Sequence, residues 1–443
     1  MDTLQKITAL CKRRGFVFPS SEIYGGWEAA YDFGSLGVEV LNKLRRLWWS
    51  EFVRKRSDVA GLDGAIISHP RVWEASGHTE LFADVMVEDT VTNRRYRADH
   101  LIDLIEDGMK PEEVDEVIKK NNIKSPDGYP LSKARYFNQL VEVQVGTLED
   151  SKSKAYLRGE TCQPIFYNYA LVKDSMRMKI PFGIAQIGKA FRNEIKVGPF
   201  FFRTREFEQM ELEMFISPKD SQKYFDELKS ISKLWVESLG VNPEKLRFRE
   251  QSPKEKAHYN KIAHDLEYEF PYGWKEFQGI HYRTDWDLKR HGEYSNTDFT
   301  YTDEETGEKF IPHIAEYSIG LSRLLYVLLF DAYTEEEGRV VLKLDPKVAP
   351  YDAAVFPLVK NKEDLVVKAR DVYQNLINTG LNVAWDDRGN IGKRYYSQDE
   401  IGTPKCITID YDTLKDDTVT VRDRDTMTQE RVTISDLSRM VKL

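Results

Sequence analysis

Cysteine is scarce in this chain: Cys11, Cys162 and Cys406 are the three present, with no CxxC pair among them. That excludes a disulfide framework and a zinc ribbon, and it suits a reduced, cytoplasmic compartment. Long apolar runs are missing too, since the longest, Leu324 to Phe330, is far too short to cross a bilayer. The eight histidines show no ligand-like spacing, His258 and His264 standing six apart, so no zinc is expected from them. There is no excess of positive charge. The net charge of −9 argues against unselective coating of nucleic acid but leaves room for a local basic face. Internal repeats and low-complexity tracts are absent, and Met1 to Lys6 leads directly into a charged amphipathic helix rather than a secretory signal.

What is there reads as an ordinary globular composition, and 443 residues allow two or three domains with ample core. Residues 1–88 predict helices, including Val38 to Arg56, around a Gly- and aromatic-rich stretch from Tyr24 to Gly34, with strand and loop from 61. Residues 89–155 turn more charged and read as an inserted subdomain. Its clearest element is a helix over 111–120, opened by proline, with acids in the first turn and lysines in the last. From 156 to 334 aromatic-rich short strands alternate with helices. Residues 335–350 read as a linker. After it, strand and helix alternate through 443 as in a small, mostly parallel sheet.

Two segments carry the most chemistry. Phe191-Arg192-Asn193-Glu194 leads through a loop, Ile195 to Phe202, to Arg203-Thr204-Arg205-Glu206-Phe207-Glu208-Gln209-Met210-Glu211, which predicts two strands bearing arginines and glutamates. Glu316-Tyr317-Ser318-Ile319-Gly320-Leu321-Ser322-Arg323 places charge at the mouth of an apolar helix. Charges in strand-like sequence are costly to bury without partners. An ion-pair ladder would satisfy them, and so would a polyanion with a flat base, such as ATP, gripped by arginine forks. Gly183 to Lys189 mimics the start of a P-loop. Ala190 stands where a magnesium-binding hydroxyl would, and Ile-Ala-Gln-Ile alternates as a strand does, so the match is a decoy.

With its loop, the first segment resembles motif 2 of class II aminoacyl-tRNA synthetases, and Gly320-Leu321-Ser322-Arg323 resembles motif 3. The wider resemblance is to glycyl-tRNA synthetases of the homodimeric type and covers nearly the whole chain. Ser21 to Gly26, Gly183 to Gly188, Arg283 to Leu288 and Asp417 to Met427 match in the same order. The resemblance implies an α+β fold: a class II antiparallel-sheet core flanked by helices, an inserted subdomain, and a C-terminal α/β anticodon-binding domain. It implies ATP as substrate, with Mg2+, tRNA(Gly) as partner, and a homodimer. Arg192 and Arg323 are the implied catalytic residues. With Glu194, Arg203, Phe207 and Glu211 they form the implied ATP site, while Glu160, Glu276, Arg283, Glu316 and Ser318 hold glycine. Glu316 is also open to Mg2+, and Glu276 to being a solvated surface carboxylate. Lys393, Arg394, Tyr395 and Tyr396 read either as an anticodon-facing surface or as a solvated helix face.

The sequence departs from the family in places. The family's Arg-Pro-Glu-Thr-Ala-Gln-Gly stands here as Arg158-Gly159-Glu160-Thr161-Cys162-Gln163-Pro164, exchanging backbone freedom between the ends of the loop. Ser35 and Tyr317 replace commoner residues. The rival readings are a class II synthetase for another amino acid and a non-catalytic relative that binds RNA or serves as a regulatory subunit. The absence of ligand-like histidines counts against a threonyl-type enzyme, whose pocket uses a metal.

Overall fold

The computed structural model of the chain describes residues 2–81, 83–102, 104–105, 109–146, 153–194, 198–253, 256–257 and 259–441. His258 and the first residues of the loop after Glu194 therefore lie outside the described residues.

A seven-stranded sheet organises the molecule. Its strands are β1 (Val59–Gly61), β2 (Phe182–Phe191), β3 (Glu206–Ile216), β4 (Leu246–Glu250), β5 (Ile262–Phe270), β6 (Gly273–Thr284) and β7 (His313–Gly320). They lie in the order β4-β5-β6-β7-β3-β2-β1. Every pairing is antiparallel except that of β1 with β2. Alternation decides which face is which. On β3, Met210, Leu212 and Met214 point into the main apolar cluster, while Gln209 and Glu211 line the opposite side. Helices α1 (Thr3–Arg14), α2 (Ser35–Trp49), α3 (Ser221–Ser238) and α4 (Leu321–Ala332) supply the apolar face that covers this core.

Helix α2 comes close to the chain before it. A Cβ at Gly37 would lie 2.1 Å from the Phe16 carbonyl oxygen, so only glycine fits there. The single long helix expected over 38–56 is α-helical to Trp49 and π-helical over Ser50–Arg54. Tyr317 packs beneath it on Trp48 and Phe52, so that departure from the family pattern sits on the helix side of the sheet.

The helix expected near 111 runs Pro111–Asn121, with the Lys110 amide donating to Glu113 Oε2 at 2.7 Å. It packs with Val87, Ala98 and Ala134 in a separate small core, beside a sheet of Arg95–Arg97, Ala83–Glu88 and Arg135–Asn138. Strand Ala83–Glu88 thus belongs with residues beyond 89.

The C-terminal sheet is mixed. Ala353–Pro357 lies between Val383–Trp385 and Lys405–Ile409, all three parallel, and Thr418–Asp423 and Gln429–Thr433 add antiparallel edges. The expected linker over 335–350 is instead ordered. It forms a hairpin, Tyr333–Glu336 with Arg339–Leu342, because Val341, Leu342, Leu344, Val348 and Ala349 are all buried. Arg339 Nη1 donates to Asp399 Oδ2 at 2.8 Å, and Arg422 Nη1 donates to Asp399 Oδ1 at 2.8 Å. Arg424 Nη1 reaches the carbonyls of Leu344 and Gly402, at 2.8 Å each.

Two of the four residues considered for an anticodon surface turn inward. Arg394 is buried on the carbonyls of Pro357, Asp387 and Gly389, and the Tyr395 hydroxyl bonds Thr408. Lys393 and Tyr396 remain exposed.

Candidate active site

Register builds the site. Across the sheet, Glu211 of β3 stands opposite Ser318 of β7, and Ser318 opposite Gly279 of β6. One row deeper, Glu213 stands opposite Glu316, and Glu316 opposite His281. All eleven residues that the sequence marks for ATP or glycine line one cleft over these rows. One detail differs from expectation. The strands end at Phe191 and restart at Glu206, so Arg192, Glu194, Arg203 and Arg205 sit on the connecting loop rather than within strands. There they keep access to solvent and need no buried counter-charge.

The outer part of the cleft is basic and aromatic. Arg192 donates through Nε to the Gly159 carbonyl at 2.9 Å and lies over the Phe207 ring at 5.4 Å. Arg203 stands 3.8 Å from Glu194 and is half exposed. Arg323, from the first turn of α4, lies over the Phe202 ring at 5.0 Å and donates to Glu276 Oε1 at 2.9 Å. Glu276 is half exposed. Burial alone would raise its carboxyl, but Arg323 and Arg203 hold it below the usual range.

The floor is acidic and closely held. Glu160 is buried; Gln163 Nε2 and Cys162 Sγ donate to its Oε1 at 2.9 and 3.1 Å, and His78 Nε2 lies 3.3 Å from Oε2. Ser76 Oγ bonds the other nitrogen of that imidazole at 2.8 Å. Burial pushes Glu160 up, yet His78, then Arg283 and Arg192, bring its carboxyl well below the ordinary value. The Gly159/Pro164 exchange is accommodated: Pro164 falls in the first turn of a short helix, Gln163–Tyr167, where its missing N–H costs nothing. Arg158, also buried, donates to the carbonyls of Lys189 and Gly64 at 2.6 and 2.7 Å. A Cβ at Gly188 would meet its guanidinium at 2.0 Å, so the last glycine of the P-loop look-alike makes room for this arginine.

Glu316 has both oxygens engaged, by His281 Nδ1 and Arg283 Nη1 at 2.6 Å each. Burial opposes its ionisation, but these two cations overcome it and hold the carboxyl low. That leaves Glu316 a poor fit for Mg2+. Arg283 also forks onto Asp287, with both contacts at 2.8 Å, and lies over Tyr259 at 3.9 Å. Glu211 accepts from Ser318 Oγ at 2.7 Å and from Thr161 Oγ1. Burial and the nearby Glu316 and Glu160 nonetheless raise it.

His78, His281, Asp287, Gln163 and Tyr259 were not read from the sequence as site residues. His281 and Asp287 left a trace, at i−2 and i+4 from Arg283 on a strand that turns into a helix. His78 left none, because a distant loop delivers it.

His78 yields a direct prediction. A hydrogen bond to a charged group contributes about 1.5–3 kcal/mol, or roughly 10–100-fold in binding. His78→Ala is therefore expected to weaken binding of a cationic ligand at Glu160 about 10–100-fold with a small change in melting temperature. A large fall in melting temperature with binding unchanged would show only a structural role.

The His281–Glu316 pair sets a second. His281 is buried, which lowers its value, but Glu316 raises it above the ordinary one. A raised imidazole contributes stability fully below the unfolded value, about 6.5, and loses it as pH rises through the folded value. The depressed Glu316 contributes above about 4.3 and loses that contribution as pH falls. The gap in melting temperature between the protein and His281→Gln should thus be widest in mildly acidic solution and close toward alkaline pH. A gap independent of pH would refute the pairing.

An antiparallel sheet carrying two arginine-bearing motifs beside an acidic pocket, with an α/β domain after it, defines a class II aminoacyl-tRNA synthetase. The family described as tRNA synthetase class II core domain (G, H, P, S and T) matches residues 144–331, and the anticodon binding domain matches 352–442. The chain is 46% identical to a glycine–tRNA ligase of Geobacillus kaustophilus over 99% of its own length and 98% of that protein. It is 47% identical to that of Geobacillus thermodenitrificans (98% and 96% covered) and 46% identical to that of Borreliella burgdorferi (100% and 97%). The chain belongs to the glycine–tRNA ligase family.

Proposed function

We propose that the protein joins glycine to tRNA(Gly) in two steps at this cleft. The glycine carboxylate attacks the α-phosphorus of ATP in line, pyrophosphate leaves, and glycyl-adenylate remains. The 3′-terminal ribose hydroxyl of the tRNA then attacks the adenylate carbonyl, and AMP leaves. The observation that carries this reading is the division of one cleft into an arginine rim and an acidic floor. Arg192, Arg203 and Arg323 suit a bent triphosphate and neutralise charge developing on the departing pyrophosphate. Phe207 offers a ring to the base, and Glu194 an acceptor to its edge. Glu160 and Ser318 suit a small ammonium group.

Arg283, one of the residues the resemblance assigns to glycine, is a positioning residue in this reading, since Asp287 and Glu316 engage it. No side chain acts as a covalent nucleophile; positioning supplies the rate. Mg2+, when bound with ATP, supplies charge neutralisation at the phosphates, and the half-exposed Glu276 fits it better than Glu316. Glycine is selected by bulk, because every competitor is larger and the floor is closed by Cys162 and Tyr259. The same reading makes the protein a cytoplasmic homodimer. Among the described residues, no helix is long and apolar enough to cross a membrane.

Amino-acid-dependent exchange between ATP and pyrophosphate tests the proposal. Glycine alone should stimulate it. Stimulation by a different amino acid would assign another specificity, and tRNA binding without any adenylate would assign a non-catalytic role.

A further inference from the structure

Asp399, the last residue of helix α5 (Ile391–Asp399), is wholly buried where the C-terminal domain meets the core. Three arginine bonds reach it: Arg339 Nη1 at 2.8 Å, Arg422 Nη1 at 2.8 Å and Arg422 Nη2 at 3.0 Å. Both arginines are buried as well, and Glu336 balances the second positive charge by accepting from Arg339 Nε at 2.8 Å. Such a group is a poor source of stability. Stripping water from the charges offsets much of their attraction, and apolar residues of similar volume often hold a protein together as well or better. What the group adds over an apolar contact is direction, since its bonds are satisfied in one register and broken in others.

Both sides of this contact lead to working parts. On the core side, Arg339 belongs to the hairpin that continues helix α4, and the first turn of α4 carries Arg323 into the cleft. On the other side, α5 turns Lys393 and Tyr396 to solvent, and the loop before it exposes Arg388. Arg394, buried in the same helix, donates to the carbonyls of Pro357, Asp387, Arg388 and Gly389, which ties that loop to α5. The N-terminal helix α1 adds a second brace. Arg14 Nη2 donates to the Ser397 carbonyl at 2.8 Å, and Arg13 Nη2 to Glu400 Oε1 at 3.0 Å. The exposed basic and aromatic groups are thus held at a set place relative to the cleft.

We propose that Asp399 is a positioning residue for the transfer step, an inference that rests on the tRNA-charging function proposed above. By holding α5 on the hairpin, it sets the span between the RNA-facing groups of the C-terminal domain and the arginine rim of the cleft. A tRNA gripped at its anticodon end delivers its terminal ribose only as accurately as that span is set. A misplacement of about 1 Å can cost about 10²-fold in rate. Adenylate formation uses small molecules that lie wholly within the core cleft, so it does not depend on the span. The two half-reactions therefore separate: the first is indifferent to Asp399 and the second is not.

The test uses the full chain and compares, for each variant, glycine-dependent exchange between ATP and pyrophosphate without tRNA and the charging of a tRNA(Gly) transcript. Asp399→Asn should leave exchange nearly unchanged while kcat for charging falls about 10–100-fold and KM for tRNA moves less. The combined change Arg339→Met, Asp399→Leu, Arg422→Met strands no charge among the three. It should melt near the parent protein, keep exchange and lose charging to a similar degree. Unimpaired charging in either folded variant, or equal losses in exchange and charging, would overturn the proposal. If only one variant folds, it decides alone; if neither does, the role of Asp399 is structural and the proposal falls. A parent protein that exchanges with glycine and charges the transcript confines any such failure to Asp399. A parent that does neither refutes the function proposed above, and this inference with it.

Discussion

In the Arg192→Ala variant, glycine-dependent exchange between ATP and pyrophosphate falls about 10³-fold or more while the protein melts nearly as before. Arg192 sits on a loop beyond the strand end, and the buried Glu160 that it faces keeps His78 and Arg283 when it is removed. What is lost is a fork beside Phe207 and a bond to the Gly159 carbonyl. The first loss falls on the phosphates as they gain charge. The second loosens the loop that carries Glu160. Arg192→Lys should recover part of the rate, because lysine returns the charge without the bidentate geometry. A fall of less than tenfold in Arg192→Ala would place the phosphates elsewhere in the cleft.

Arg283→Ala should lower stability by about 3–5 kcal/mol, which for a chain of this size is a fall in melting temperature of about 3–5 °C. The guanidinium is almost wholly buried and is the partner of two buried carboxylates. Deleting it leaves Asp287 with neither of its arginine contacts and Glu316 with His281 alone. Neutralising the survivors should restore much of the loss. The triple change Arg283→Met, Asp287→Asn, Glu316→Gln is expected to melt well above the single variant yet remain inactive in exchange. If the triple variant melts no higher than Arg283→Ala, the arginine contributes by packing against Tyr259 and Phe166 rather than by pairing.

The site was more legible in the sequence than the contacts that hold it. Phe207, Gln209 and Glu211 alternate with Met210 and Leu212, so period-two reading puts them on one face, and the motif order supplies the rest. Sequence alone did not show that Arg192 and Arg203 leave the strand. A charged residue after an apolar run reads equally well as the strand's last residue or the loop's first. His78 was invisible because its partner, Glu160, comes from a segment 82 residues later in the chain. In the C-terminal domain, the helix Glu363–Asn378 is legible from its acidic first turn and from Gly380 just past its end. The linker expected over 335–350 overlaps the hairpin over 333–342 because its charges, Glu335, Glu336 and Arg339, resemble solvated spacer. Arg339 is in fact buried against Asp399.

That buried carboxylate bears on how the molecule can be divided. Asp399 belongs to the C-terminal half, but one of its two arginines precedes the supposed boundary and the other follows it. A chain ended near 350 would leave Arg339 with Glu336 but without Asp399, and would bare the Leu344 carbonyl that Arg424 now caps. The catalytic half is therefore not a ready-made excision product. A graft that exchanges anticodon-binding domains between relatives must move its cut upstream of Tyr333, or carry Arg339 and Asp399 together as one unit.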